Sequence, residues 1–386
     1  MSQPEVIPSS VRMEEDRVLA FAHIGDLHLS DAKQRNFTDF LAIVAQIEVE
    51  CAGTIDFVVL PGDNADNGRP SQYALAATGL KMLSMPVHAI PGDHDMEQGG
   101  LEAFYAGLGA DPLPKALTVR GVRCLFLDIS GPGGGGPDFR VGSSQVSWVE
   151  RELGSARERG EDSIVFMHSY PDDLKGEGET RAFNRLLADH GVALVDMGHT
   201  HYNELGNDGH TIFAATRSTG QIEEGPVGYS VATLDAGVVS WRFKALDDAF
   251  PFVIITAPAD YRLVRTPGQL VGGTVEVRAL VLGRRATRNV SCRIEDCDAV
   301  PMSQMPGERL WTARVPVPAG RLVSVTVQAV DESGRPGQHT IRAATQGYAA
   351  PVRTPNGSDA ASVGAWPENG ILGTQLGPNR NGASSS

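Results

Sequence analysis

Five short polar motifs hold most of the side chains in this sequence that could bind a metal ion or move a proton. They are Gly25-Asp26-Leu27-His28, Pro61-Gly62-Asp63-Asn64, Pro91-Gly92-Asp93-His94-Asp95, His168 after Met167, and Gly198-His199-Thr200-His201. Carboxylate and imidazole together suit divalent transition metals such as Mn, Fe or Zn, and no thiolate joins them. A lone Asp-x-His, Gly-Asp or His-x-His is an ordinary loop or turn. The ordered set is more specific, because each member follows an apolar run and five of the ten histidines fall within it. The other five (His23, His88, His190, His210 and His339) read as structural or surface residues. A glycine before each acidic residue permits the tight turn that aims the next side chain. Two cations about 3.5–4 Å apart in such a cluster would activate a bridging water and clamp phosphoryl oxygens.

The elements that must position these motifs are legible as a pattern. Apolar runs of strand length at 18–24, 55–60, 87–90, 122–129, 163–167 and 192–196 alternate with helix-like stretches at 37–50, 71–83, 144–159 and 180–189. Such alternation predicts an α/β domain over residues 17–246, after an N-terminal extension of residues 1–16. In α/β sheets ligands bind beyond the carboxyl ends of the strands, and all five motifs sit there. Short alternating runs at 273–279, 290–294, 310–315 and 322–330 follow, with turn residues between them. They predict an immunoglobulin-like β-sandwich over 250–345, with Trp311 in its core. Residues 346–386 are rich in Gly, Pro, Asn and Ser, and are expected to be extended or disordered. Trp366, Ile371, Leu372 and Leu376 are unusual for a linker, and docking on the body would explain them. The glycine run at 131–136 lacks the lysine of a P-loop and reads as a flexible loop.

Composition sets outer limits. The formal net charge of -14 disfavours nucleic acid polymers and anionic membranes as partners. No apolar run approaches the roughly 18 residues needed to span a bilayer. The first residues carry no apolar signal segment, so the expected location is the cytoplasm. Four dispersed cysteines, without Cys-x-x-Cys, read as free thiols.

The ordered motifs over residues 18–245 resemble the calcineurin-like metallophosphoesterase family, and most closely its bacterial cyclic-nucleotide phosphodiesterase branch. The resemblance implies a four-layer α/β/β/α sandwich with two divalent or mixed-valence metal ions at one end. It implies that Asp26, His28 and His201 bind the first ion, that Asp93, His168 and His199 bind the second, and that Asp63 bridges both. His94 would be the non-ligand histidine that contacts phosphate and assists the leaving oxygen, with Asp95 orienting it. The implied activity is hydrolysis of a small-molecule phosphate ester, a diester before a monoester, by in-line attack of a bridging hydroxide. The alternative is a scaffold protein with a vestigial metal site, and the sandwich could serve as a homo-oligomer contact. One position departs from the pattern, since the family usually has Asn where Asp93 stands. A third carboxylate lowers the summed charge of two dications and their carboxylates from about +2 to about +1. Such a site should hold metals more tightly and attract anionic substrate less.

Overall fold

The computed structural model describes residues 17–131, 138–304, 306–318, 320–348 and 361–373. The extension 1–16, most of the glycine run and Leu376 lie outside the described residues. In chain order the first half runs β1 (Leu19–His23), α1 (Arg35–Cys51), β2 (Phe57–Leu60), α2 (Pro70–Leu80), β3 (Val87–Ala89), α3 (Glu102–Leu108), β4 (Lys115–Val119) and β5 (Val122–Phe126). It continues through α4 (Ser143–Arg159), β6 (Asp162–Phe166), α5 (Glu179–His190), β7 (Leu194–Met197), β8 (Glu204–Asn207), β9 (Ile212–Ala215), β10 (Gly228–Asp235) and β11 (Val238–Ala245).

Two mixed sheets face one another. The first has the order β11-β10-β1-β2-β3 and the second β4-β5-β6-β7-β9-β8. Period-2 alternation decides what each strand buries. Phe21 and Phe57 from the first sheet meet Phe126 and Phe166 from the second in one apolar cluster. Phe126 and Phe166 stack 4.6 Å apart, and the Phe21 ring meets Phe166 edge-on at 5.2 Å. The opposite face of β1 carries Ala20 and Ala22 against Phe40, Ile43, Val44 and Ile47 of α1. That spacing is one helical stripe. The outer face of the second sheet packs Val165 and Val195 on Val149 and Leu153 of α4 and Phe183 and Leu187 of α5. The layers are therefore α/β/β/α, as the resemblance implied.

β10 was not evident from alternation because it lies between β11 and β1 and is buried along its whole length. A strand covered on both faces has no polar side to reveal it.

The remaining strands are β12 (Phe252–Ala257), β13 (Thr274–Leu282), β14 (Thr287–Ile294), β15 (Val300–Pro301), β16 (Ser303–Gln304), β17 (Trp311–Pro316), β18 (Leu322–Asp331) and β19 (Pro336–Ala344). They form two four-stranded sheets, β12-β13-β17-β16 and β15-β14-β18-β19. Val277 and Ala279 of one meet Val290, Val325 and Val327 of the other in a common core. Trp311 is half-buried at the margin of that core rather than inside it. The same core is continuous with the interior of the first half through Trp241 and Phe243 of β11. Arg309 adds a polar tie, donating to the carbonyl oxygens of Val18 and Thr54 and to Asp56.

Within the tail expected to be extended or disordered, residues 361–373 dock on the body, the alternative that Trp366 and Ile371 suggested. Trp366 and Ile371 are buried in the continuous core, and the Arg262 guanidinium lies 4.4 Å from the Trp366 ring. The Asn369 side chain donates to the Trp241 carbonyl and pairs with His339 Nε2 at 3.2 Å. Burial of two large apolar side chains, together with the hydrogen bonds of Asn369, contributes against the entropy cost of ordering this segment. A glycine- and proline-rich composition conceals that.

One buried pair ties the two sheets of the first half. His23 Nδ1 and Asp196 Oδ1 lie 2.6 Å apart, and both side chains are fully buried. Removing one partner leaves the other uncompensated in an apolar interior, whereas replacing both does not. Asp196→Ala is therefore expected to lower stability by about 3–5 kcal/mol, and His23→Leu with Asp196→Leu to recover most of it. Urea denaturation midpoints of the two variants check this.

Candidate metal centre

The carboxyl ends of both sheets deliver the side chains singled out by the motifs. Asp26 and His28 follow β1, Asp63 follows β2, and Asp93 follows β3. From the facing sheet, His168 follows β6, while His199 and His201 follow β7. The local backbone is bent to make these loops meet. His28, Asp63, His199 and His201 have φ of 42°, 51°, 64° and 63°, in the left-handed region. A non-glycine residue there carries roughly 1–3 kcal/mol of strain, which persists only where surrounding structure enforces it.

The three glycines that precede acidic residues serve two different ends. Gly62, with φ of 119°, needs the freedom expected of a turn residue. Gly25 and Gly92 do not have positive φ; they are required by close approach. A Cβ on Gly92 would overlap Asp63 Oδ1 and His168 Nε2, and one on Gly25 would overlap the Arg217 carbonyl.

All seven expected ligands converge, in two groups that share one member. Ligand atoms of Asp26, His28, Asp63 and His201 lie within 4.8 Å of one another, as do those of Asp63, Asp93, His168 and His199. His28 Nε2 and His201 Nε2 are 3.0 Å apart. Two imidazole nitrogens that close share either a proton or a cation. In the second group His168 Nε2 is 3.2 Å from Asp93 Oδ1 and 3.4 Å from Asp63 Oδ2, and His199 Nδ1 is 3.5 Å from Asp93 Oδ1.

Supporting hydrogen bonds leave the right atoms available. His168 Nδ1 donates to the Pro61 carbonyl at 2.9 Å, which leaves the Nε2 lone pair for the cluster. The backbone N–H of His94 donates to Asp63 Oδ1, and that of His199 to Asp26 Oδ1, each at 3.0 Å. Asp26 Oδ2 is buried without a hydrogen-bond partner. A buried carboxylate oxygen with no donor is what a cation ligand looks like before the cation is counted. The donor set and this orphaned oxygen fit a pair of divalent metal ions.

The charges agree. Burial opposes ionisation of Asp63 and Asp93, but His168 and its imidazole neighbours hold both below the usual carboxylate range. Burial likewise opposes a charge on His168, yet Asp63, Asp93 and Asp26 raise its pKa well above the ordinary histidine value. Burial pushes His28 down to about 4, so its ring is neutral and able to coordinate. A cluster of buried carboxylates that drives a buried imidazole to charge is short of positive charge.

His94 is the partly exposed member. Its Nδ1 is 2.7 Å from the Asp66 carbonyl and 3.3 Å from Glu97 Oε1, and its ring meets His28 edge-on. Asp95 corrects the expectation that it orients His94. Its fully buried carboxylate accepts hydrogen bonds from the backbone N–H groups of Gly92, Asn64 and Ala65, from the Asn64 side chain and from the Tyr73 hydroxyl. It fastens the loops after β2 and β3 to each other, and Asp66 takes the orienting role. The Asp66 carboxylate lies near His28 and His94.

Sequence reasoning missed the polar run Thr216-Arg217-Ser218-Thr219 after β9. All four residues are buried. Ser218 Oγ donates to the Asp26 carbonyl and the Ser218 N–H to the His201 carbonyl. Gln221 Nε2 lies 3.3 Å from His28 Nδ1. Four polar residues in succession read as exposed loop; the only hint was their place after an apolar strand. Asn203 is buried, and its side-chain amide donates to the Gly370 carbonyl at 2.9 Å.

The family model for the calcineurin-like phosphoesterases matches residues 19–203. Over 163 residues the chain is 31% identical to the glycerophosphodiester phosphodiesterase GpdQ of Enterobacter lignolyticus, which covers 40% of this chain and 57% of that protein. Over 119 residues it is 28% identical to the 3′,5′-cyclic adenosine monophosphate phosphodiesterase CpdA of Escherichia coli, covering 30% and 40% respectively. The solved structure of a dimetal phosphatase from Danio rerio aligns with a TM-score of 0.42 at 15% identity, over 60% of this chain and 97% of that one. The chain thus matches little more than half the length of the first of these relatives. Residues 19–203, which carry all seven converging side chains, match the calcineurin-like phosphoesterase family.

Proposed function

We propose that this protein is a binuclear-metal phosphodiesterase that hydrolyses a small-molecule phosphate diester. The observation that carries the reading is the shared carboxylate. Asp63 belongs to both ligand groups, so the geometry is that of a pair of sites rather than two separate ones. Oxygen and nitrogen donors without sulfur favour Mn, Fe or Zn ions. When bound, two such ions would supply an activated water and neutralise charge on the phosphoryl oxygens. Relatives named for glycerophosphodiesters and for cyclic AMP support a diester over a monoester.

The chain's own residues have separable tasks. Asp26, His28 and His201 hold one ion, Asp93, His168 and His199 the other, and Asp63 both. His94 is fixed through Nδ1 to the Asp66 carbonyl, which leaves Nε2 for substrate. Burial opposes its protonation, but Asp63, the Asp66 carbonyl, Asp93 and Glu97 outweigh this and raise its pKa. A histidine tuned upward suits proton donation to a leaving alkoxide.

The direct test is a panel of bis-p-nitrophenyl phosphate, p-nitrophenyl phosphate, cyclic AMP and glycerophosphocholine, assayed with Mn²⁺ beside metal analysis. Turnover of diesters above the monoester, abolished in Asp63→Ala together with metal content, is the expected result. Full turnover by Asp63→Ala would sink the reading.

The separation of tasks yields three further expectations. His94→Ala should lower kcat by about 10²–10⁴ with metal content and unfolding temperature unchanged. Asp95→Ala should act through the fold, losing roughly 3 kcal/mol or more because several buried donors lose their acceptor at once. Thermal unfolding separates those two variants. Asp93→Asn should weaken metal binding while lowering KM for an anionic diester, since it restores one unit of positive charge; a metal titration and KM on the same preparation read both.

A further inference from the structure

Of the described residues, Arg217 has one of the largest fully buried side chains, yet it belongs to neither ligand group and is paired ionically with Glu224 at 3.6 Å. Its guanidinium donates to three backbone carbonyls, those of Glu224 and Pro226 at 3.1 Å each and that of Gly370 at 2.8 Å. The Phe243 ring is 4.3 Å from the guanidinium carbon. Burial lowers the Arg217 pKa, with only Glu224 opposing. Desolvating a guanidinium to bond neutral carbonyls is a poor way to gain stability. What it gains is position.

The position concerns one half of the metal centre. The Arg217 N–H donates to Asn203 Oδ1 at 2.8 Å, and its carbonyl packs where Gly25 can have no Cβ. The next four residues reach Asp26, His28 and His201. Ser218 bonds the carbonyls of Asp26 and His201, Thr219 and Gly220 donate to the Asp26 carbonyl, and Gln221 meets His28. These are the three unshared members of the first ligand group. None of the same bonds goes to Asp93, His168 or His199. The far side of the guanidinium is held by Gly370, in the segment anchored by Trp366 and Ile371. Gly370 has φ of 91°, and a Cβ there would meet Phe243.

We propose that Arg217 is a positioning residue for the first metal site alone, and that the docked segment 361–373 is part of the same device. This rests on the binuclear reading above. Residues far beyond the phosphoesterase domain would then set the affinity of one of its two ions. Arg217 latches the 217–221 strand of backbone between the C-terminal segment and the ligand loops, and the second group is built without it.

The test compares full-length wild type, Arg217→Met, Gly370→Val and Trp366→Ala by equilibrium dialysis against Mn²⁺ with metal analysis, and by thermal unfolding. Gly370→Val and Trp366→Ala disturb the latch from outside the domain, which guards against a simple folding failure of Arg217→Met. The expected result is a fall from about two ions per chain to about one, in folded protein. Adding Asp93→Ala to Arg217→Met should then abolish binding, whereas adding His28→Ala should change nothing more. Arg217→Lys, which keeps charge and donors, should restore part of the second ion. Variants that keep both ions, or lose both in parallel with unfolding, would overturn the proposal and leave the binuclear reading standing. A wild-type chain that binds no Mn²⁺ would overturn both.

Discussion

Three carboxylates buried in one cluster form the constraint on which the rest of this structure depends. Asp26, Asp63 and Asp93 are all nearly inaccessible to solvent, and Asp63 stands between the other two groups of donors. Like charges at such distances and in such surroundings repel strongly unless positive charge is supplied. Imidazoles supply some of it, as the raised pKa of His168 indicates. The orphaned Asp26 oxygen marks where they fall short. Cations bound between the two donor groups would resolve the deficit, and the local backbone leaves room for them. Backbones adopt left-handed angles so that side chains point inward, and glycines remove the Cβ atoms that would occupy the same space.

Convergence requires that two sheets end at one place. Four of the seven side chains come from the first sheet and three from the second. A small rotation of one sheet on the other would therefore separate the groups rather than move them together. Resistance to that rotation comes from the interdigitated phenylalanines between the sheets and from the His23–Asp196 pair near the strand ends. Each member of that pair lies three residues before a candidate ligand, Asp26 or His199. The C-terminal strands extend the same apolar core instead of hanging beside it. The docked 361–373 segment meets the loops of the centre through Gly370, whose carbonyl accepts from Arg217 and Asn203.

The legible part of this protein in sequence was the part governed by local rules. Strand-length apolar runs that end in Gly-Asp, in His168 or in a histidine pair marked the loops whose seven side chains converge, because a strand's direction and its exit loop are set within a few residues. Side-chain partners were less accessible. Asp95 follows His94, and adjacency suggested that one orients the other. The short 3-10 turn at His94–Met96 instead sends Asp95 into the interior, where Tyr73 and Asn64 meet it. Arg217 was illegible for a stronger reason, and Trp366 was legible only as a residue out of place in a linker. Arg217 meets Gly370 153 residues further along the chain, and a polar run carries no local mark of such a contact. Period 2 also failed for β10, where both faces are covered.

Asp93-His94-Asp95 shows why spacing carries more information than composition here. The three residues have similar chemistry and adjacent positions, yet each is committed to a different task by the direction in which the turn points it. Asp93 faces His168 and His199, His94 stays partly exposed beside His28, and Asp95 is sealed under five donors. Burial, with Asp63 adding to it and the hydrogen bonds opposing, moves the Asp95 pKa up to about 6, while the imidazoles move Asp93 in the opposite direction. Two carboxylates separated by one residue are thus driven apart electrostatically by what surrounds them. An insertion or deletion of one residue in this turn would put each of the three side chains in the place of its neighbour, Asp93 where His94 stands or Asp95 where His94 stands. The motif is therefore constrained in register, and not only in residue type, by the charge balance of the centre it completes.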